Sequence, residues 1–491
     1  MKMKKLYILS MSVFMLTSCI KDDLNVDKKN PSSVPAGTLF SNAQKNLTDV
    51  MTSTSVNRNV FRLITQQWTE TTYTDESNYD LATRNIPQTF WNIMYRDVLK
   101  NLEESKKIVE ADNTIYTDPI AKKNKLAEIE LMEAYTYSVL VNSFGNIPYT
   151  EALDPNNPHP KYDDAKTITL SLVSRINAAL ATLSAGDSFG SGDLLYGGDI
   201  AKWTKFGNSL KLKIGMMLAD VDAASAKTIV ESTKGKVFTS NDDNAAFHYL
   251  DAPPNTNPLW VDLVASGRYD FVAASTIVDQ MNALSDPRRT AYFTIAPKIP
   301  ATSTSPEIPA GYRGGTPGAS SNYDSFSHAG ALLNKPNFEA LLLDYSEVEF
   351  LLAEAKERNM DIGTGTAVAH YANGIQASLD YWGTTSSDVT AYVANATAAY
   401  SNPLNTKSFR EKIGVQKAIA LYNRGYDAWT EWRRLDFPKL SPAVDAVSGI
   451  PVRLSYPVQE QNLNTAKYTE ASAAIGGDKV ETRLFWDTKA Q

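Results

Sequence analysis

Apolar positions recur along this chain at helical spacing, separated by polar loops of unusual length. Trp203, Phe206, Leu210, Ile214, Met217 and Leu218 form one stripe, with Lys205 and Lys213 off it and Asp199 ahead of it as a helix start signal. Tyr345, Val348, Leu351, Leu352 and Ala355 form a second, and the spacing assigns Glu347, Glu349, Glu354 and Glu357 to its solvated face. Val415, Ile419, Tyr422, Tyr426 and Trp429 form a third. The stretch from Lys125 to Phe144 begins amphipathic and becomes apolar all round, so its C-terminal half is expected between other helices. Gln88–Glu110 and Lys166–Ala185 read as further helices.

Two consecutive pairs look antiparallel: Gln88–Glu110 with Ala121–Phe144, and Tyr345–Arg358 with Thr366–Trp382. Small residues alternate with large aromatics on them, as in tetratricopeptide hairpins, although no strict period of about 34 residues is present. Strand signals are few, and Ile450–Val458 is the clearest short candidate. The expected fold class is therefore mainly all-α, a scaffold of helical hairpins with few short strands. Residues 251–258 and 295–337 are rich in Pro, Gly, Ser and Asn, and polar stretches of that kind in a folded chain tend to be binding loops or lids.

The first residues follow another pattern. Lys2, Lys4 and Lys5 precede an apolar run from Leu6 to Leu16, too short to span a bilayer but of signal-peptide length. Leu16, Thr17 and Ser18 then lead into Cys19, the sole cysteine of 491 residues, in the manner of a bacterial lipobox. This organisation predicts a signal peptide over residues 1–18 and lipidation at Cys19. A flexible tether follows over 19–36, then one large domain over 37–491. A lipidated Cys19 leaves no thiol for a disulfide, so the core must hold the fold. Ile20-Lys21-Asp22-Asp23 resembles the acidic export signal of surface lipoproteins.

Charge narrows the partners. The formal charge of −7 becomes −10 when the leader removes three lysines and no acid. A net acidic surface without a basic run argues against nucleic acid, whose phosphates need clustered Lys and Arg. Eight Trp and 24 Tyr serve either the core or ligand stacking.

Catalytic and metal signatures are weak. The histidines, His159, His248, His328 and His370, are too far apart for a helical metal pair. "GDSFG", Gly186–Gly190, matches a nucleophile-elbow pattern, but a helix precedes it where a strand is needed, so Ser188 reads as part of a turn. The acids of "NDDN", Asn241–Asn244, read as solvated turn residues. No cofactor or metal site is expected.

Taken together these stretches resemble the SusD/RagB family. The resemblance rests on the lipobox and acidic tether, then on "QQWTETTYTDESNYDL" (66–81), "WNIMYRDVLKNLEE" (91–104), "SFGNIPYTEAL" (143–153) and "PKYDDAKTI" (160–168). It continues through "DPRRTAYF" (286–293), "LLLDYSEVEFLLAEAKERN" (341–359), "YDAWTEWRRLDFPKL" (426–440) and "IPVRLSYPVQEQNLN" (450–464), in family order. The resemblance implies an outer-membrane lipoprotein, exposed at the surface. It would act as the lid of a SusC-like TonB-dependent transporter, binding oligosaccharides without cleaving them. The same lid role for oligopeptides, a surface glycoside hydrolase or peptidase, and a structural adaptor stay open.

The family's ligand face maps here to Gln66–Arg84, where Trp68, Tyr73, Asp75, Tyr79 and Arg84 mix rings with hydrogen-bonding groups. Trp260, Tyr269 and Tyr312, in or beside the central loops, are the further candidates. Trp203, Tyr345, Tyr426 and Trp429 lie on helical stripes and are expected in the core, while Trp382 fits either place.

Overall fold

In the computed structural model, which describes residues 34–488 apart from 115, 385 and 386, the helices begin where local chemistry tells them to. The leader, Cys19 and most of the tether lie outside the described residues. Helices of nine or more residues are labelled. α1 (Ala36–Thr52) buries Phe40, Ala43, Leu47, Val50 and Met51 along one face. A nearly continuous helical run then covers Ile86–Asn92, a π-helical stretch Ile93–Leu99 and α2 (Lys100–Ala111). α3 (Pro119–Phe144) starts at Asp118, whose carboxylate accepts from Ile120 N, and stops at Gly145 with φ 88°. α4 (Ala165–Thr182) and α5 (Ile200–Met217) are capped by Asp164 and Asp199. α6 (Ala223–Glu231) and α7 (Ser275–Ala283) follow. α8 (Tyr345–Glu357), α9 (Ala367–Tyr381), α10 (Ser387–Ser401) and α11 (Phe409–Ala420) come next, with caps at Asp344, Thr366 and Ser408 for α8, α9 and α11. α12 (Gly425–Leu435) and α13 (Thr465–Ala474) complete the set.

From α1 through α6, α1 packs on α2, α2 on α3, α3 on α4, α4 on α5 and α5 on α6. A second group pairs α8 with α9, α9 with α10, α8 with α11 and α11 with α12, and α8 against α5 joins the two. Both predicted hairpins are present. Short antiparallel ribbons punctuate the scaffold: β1 (Trp68–Glu70), β2 (Ile147–Pro148), β3 (Tyr162–Asp163), β4 (Ala245–Phe247), β5 (Phe271–Ala273) and β6 (Ala340–Leu343) pair as β1–β5, β2–β3 and β4–β6. Among the described residues no helix is long and apolar enough to cross a membrane.

Three expectations need correction. The stripe from Val415 to Trp429 is two helices. The chain turns at Asn423 with φ 68°, and Gly425 opens α12 where a Cβ would lie 2.6 Å from the Arg62 backbone nitrogen. Ile450–Val458 is buried at its centre, but it bends at Val452 and Arg453, Val458 opens a short helix, and it is not a strand. Pro451 and Pro457 offer no N–H to a ladder, and Leu454 N donates instead to Ser143 O at the end of α3.

The supposed solvated face of α8 is the third. Glu347, Glu349 and Glu354 are buried. Glu347 pairs with Lys213 of α5 at 2.9 Å and with Arg424 at 2.6 Å, and Asp427 contacts both cations. Glu354 takes a two-pronged contact from Arg434 of α12, at 2.6 and 2.5 Å. Arg434 and Lys417 in turn hold Glu431. Buried charge is tolerated because Glu347, Glu354 and Glu431 each meet a cation, while Glu349 is met by His370 and Asn373; burial alone would raise Glu347 and Glu354. The neighbouring cations win: Glu347 is held down at about 2, and Glu354 is also held below its usual value.

Trp203, Tyr426 and Trp429 are core residues as expected, and Tyr345 is half-buried. Trp382 joins a second cluster with Tyr292, Tyr422 and Ile277 beneath the central loops. The segment 295–337 is organised on that cluster by bridges between Ile299 and Ile308, Ala296 and Gly311, Phe293 and Ala329, and Ala274 and Gly315.

Candidate ligand-binding surface

The β1–β5 ribbon sets this surface. Trp68 opposes Ala273 and Glu70 opposes Phe271, so the ends of both strands meet. Beyond Glu70, Thr71 N donates to Asp270 O at 2.9 Å and Thr71 Oγ1 to Tyr269 O at 2.7 Å. Tyr73 and Tyr269 therefore leave the ribbon at the same end. They are 73% and 63% exposed, far more than a packing role requires.

A third segment crosses this end. Ser321 N and Ser320 Oγ donate to Thr71 O, and Gly318 N donates to Thr69 Oγ1. Gly318 has φ 83°, and a Cβ there would lie 2.2 Å from Asn78 Oδ1, so only glycine lets the segment dock. Asn78 Nδ2 donates to Gly318 O at 2.8 Å, while Asn78 O accepts from Val447 N. This crossing brings Tyr323 to Tyr269, with ring centres 4.6 Å apart and planes inclined by 43°. His328 stacks on Tyr323 with ring centres 3.6 Å apart and is hydrogen-bonded through Nε2 to Tyr323 O. Three rings are thus held side by side, with Arg268 paired to Asp270 at 2.8 Å beside them.

The cleft at their base, with Trp68 in its wall, has a volume of about 40 Å³. Enclosing a small ligand takes several hundred Å³, so this is an open platform and not a pocket. An open row of tilted rings can pack against apolar C–H faces while neighbouring polar groups bond hydroxyls.

The other sequence candidates sit differently. Trp68 is 3% exposed and its indole N–H donates to Tyr422 OH at 2.9 Å, so it supports the platform from below. Tyr79 is buried, and its OH accepts from Ala443 N at 3.1 Å and Gln66 Nε2 at 3.3 Å, tying the loop to the frame. Asp75 is exposed on the same loop as Tyr73. Arg84 is exposed but engaged with Glu76. Trp260 is half-buried in a single helical turn, and Tyr312 is half-buried with the Arg289 guanidinium 5.4 Å from its ring centre. Neither lines the platform cleft. Tyr323 and His328 escaped sequence reasoning. Their only signal was membership of the long loop, since nothing local says which of its rings meets Tyr269.

Beneath the Tyr73 loop lies a carboxyl pair. Glu70 Oε2 accepts from Ser77 N at 2.9 Å, and burial together with nearby Glu76 pushes Glu70 up to about 8. Gln66, Tyr73 and Tyr79 all have positive φ. Such strain in non-glycine residues persists where surrounding structure over-determines it, often at ligand sites. Ser188 lies in a turn after α4 that leads to a short 3₁₀ turn, with its Oγ 3.4 Å from Gly198 O and the buried Glu128 carboxyl beside it, and the element before it is a helix, not the strand a nucleophile elbow needs. In the "NDDN" turn Asp243 is buried against Lys205 and Thr239, not solvated.

A family model described as "Starch-binding associating with outer membrane" matches residues 28–457. Solved structures share the fold over nearly the whole chain. A chitin-binding protein is 25% identical, with a TM-score of 0.79 over 92% of this chain and 100% of its own. A chitin-binding SusD homolog from Flavobacterium johnsoniae is 23% identical, with a TM-score of 0.75 over 92% and 99%. A susD homolog from Bacteroides thetaiotaomicron is 24% identical, with a TM-score of 0.74 over 93% and 100%. No curated protein matches the chain.

Proposed function

Because the chain belongs to the SusD-like family, we propose that it is a single-domain oligosaccharide-binding lid of a SusC-like TonB-dependent outer-membrane transporter. It captures its ligand on the platform of Tyr73, Tyr269 and Tyr323 and passes it on uncleaved. Cys19 carries the lipid anchor that holds it on the cell surface.

The observation that supports this reading is the contact of Tyr269 with Tyr323 and of Tyr323 with His328, with Tyr269 63% exposed next to the β1–β5 ribbon. Loops on a rigid frame suit a binding surface. Sugars stack on such rings, whereas a peptide needs a free strand edge or apolar pockets. The chitin-binding neighbour at 25% identity supports the same class.

The test is titration calorimetry with chitohexaose and maltohexaose against the wild type and a Tyr269→Ala/Tyr323→Ala double variant. Binding weakened by about tenfold or more in the variant supports the platform, since central aromatic contacts dominate such surfaces. Equal binding by both proteins would remove the platform from the mechanism. Release of shorter sugars would show it to be an enzyme.

A further inference from the structure

We propose that the cleft walled by α10 and α11 is a second binding site, for a short neutral oligosaccharide segment. It has a volume of about 1,090 Å³, at the upper edge of the roughly 300–1,000 Å³ common for small-molecule sites. It stands apart from the tyrosine platform. No residue lines both; the platform's Tyr269 and β5 precede the start of α7, and Leu284–Pro287, which line the cleft, follow its end. Nine helical residues separate them by about 13 Å.

The sequence of α10 explains why the space is there. Val389 and Tyr400 bury one side of the helix in a small core with Phe350, Tyr371 and Ile375. Tyr371 and Tyr400 reach the cleft at the edge of that core, and Ala391, Asn395 and Ala399, spaced i, i+4, i+8, line it along α10. Large apolar residues at those positions would close α10 onto α11. Small and amide side chains leave a gap with hydrogen-bonding walls.

The floor is preorganised. Tyr392 OH donates to Asp286 Oδ2 at 2.6 Å and accepts from Gln416 Nε2 at 2.8 Å. Asp286 is fixed by fully buried Arg288, which also donates to Gln416 Oε1. The Tyr392 hydroxyl is thus tied down while its half-buried ring lines the cleft, an arrangement that offers a sugar face a stacking partner at little entropic cost.

The chemistry of the walls selects the ligand class. Lys407 is paired with Glu411 at 2.7 Å, Asp286 with Arg288, and Arg289 donates to Asp286 O and Asn282 Oδ1. Lys412 donates to Tyr400 O, and the lining's three acids (Asp286, Asp388, Glu411) balance its three cations (Arg289, Lys407, Lys412), so an ionic ligand would meet no net charge. A peptide would find helical walls whose backbone groups are internally bonded, not a strand edge. Hydroxyl-rich, uncharged ligands with flat C–H faces fit what remains.

The experiment separates this site from the platform. Titration calorimetry uses chitotetraose, maltotetraose, cellotetraose and xylotetraose against four proteins: wild type, Tyr269→Ala/Tyr323→Ala, Ala399→Trp, and the triple combination. Ala391→Trp serves as an independent second way to fill the cleft, and thermal unfolding checks that each variant is folded. The expected result is that the platform double variant retains binding of one sugar. Ala399→Trp or Ala391→Trp added to it should weaken that binding by about tenfold or more. Residual binding unchanged by both fillings overturns the proposal, and so does a platform double variant that binds none of the four sugars. Loss caused by the platform variant alone supports the platform and rejects the cleft.

Discussion

Tyr269 and Tyr323 meet with ring centres 4.6 Å apart, although one precedes β5 and the other lies within the long loop 295–337. Their contact depends on Ser320 and Ser321 docking on Thr71, so the platform is a product of three converging segments. The ring of Tyr323 matters, and its hydroxyl need not. Tyr323→Phe should leave oligosaccharide binding within about twofold of wild type, whereas Tyr323→Ala should weaken it by about tenfold. Titration of both variants with the same sugar checks this. A Phe variant as weak as the Ala variant would move the role to the hydroxyl.

Gly318 is the hinge of that docking. With φ 83° and Asn78 Oδ1 2.2 Å from any Cβ, Gly318→Ala should cost about 1–3 kcal/mol and misplace the Tyr323 loop. Urea unfolding and ligand titration should both register the change. Wild-type values in both would show that the segment adapts.

The ion pairs of α8 hold two helical groups together. Arg434→Met leaves Glu354 and Glu431 buried without their shared partner. Breaking such a pair costs about 3–5 kcal/mol. The denaturant midpoint should fall accordingly. Little change would mean that water or Lys417 compensates.

Glu70 links stability to pH. Its folded value, about 8, lies above the ordinary 4.5, so its contribution is fully present below about pH 4.5 and is lost as pH rises through about 8. Glu128, buried under the turn at Ser188 and also raised to about 8, acts in the same direction. The melting temperature should therefore decline from about pH 4.5 to about pH 8 and level off above it, and Glu70→Gln should flatten part of that decline. A slope identical in wild type and Glu70→Gln would refute the assignment.

Anchoring is a separate matter. Cys19→Ala should release the protein from the outer-membrane fraction into soluble fractions, because the proposed acyl chains contribute about 0.8 kcal/mol per buried CH₂ and no helix among the described residues is long and apolar enough to cross a membrane. Fractionation and immunoblotting decide it. Full membrane retention of the variant would assign anchoring to another contact.

The sequence by itself determined several of the helices, the start of α5 at Asp199 and most of the stripes facing the core, although the third stripe breaks at Asn423. Asp199 and the Trp203 stripe are local signals, and a side-chain oxygen ahead of an apolar period of 3.6 acts within a few residues of itself. It also pointed to the long loops and to Tyr73 and Tyr269. Only the tertiary structure decided what those positions meet. Glu354 reads as solvated because a carboxylate without a visible partner belongs in water, yet its partner Arg434 lies on α12. Trp68 reads as a ligand ring, yet Tyr422 and the second core cluster bury it. Tyr323 is one polar-loop residue among many until the glycine segment at 314–318 threads past Ala274 and sets it on Tyr269. Periodicity and capping are short-range, so sequence reveals them. Partner choice for a charge or a ring is long-range, and folding alone specifies it.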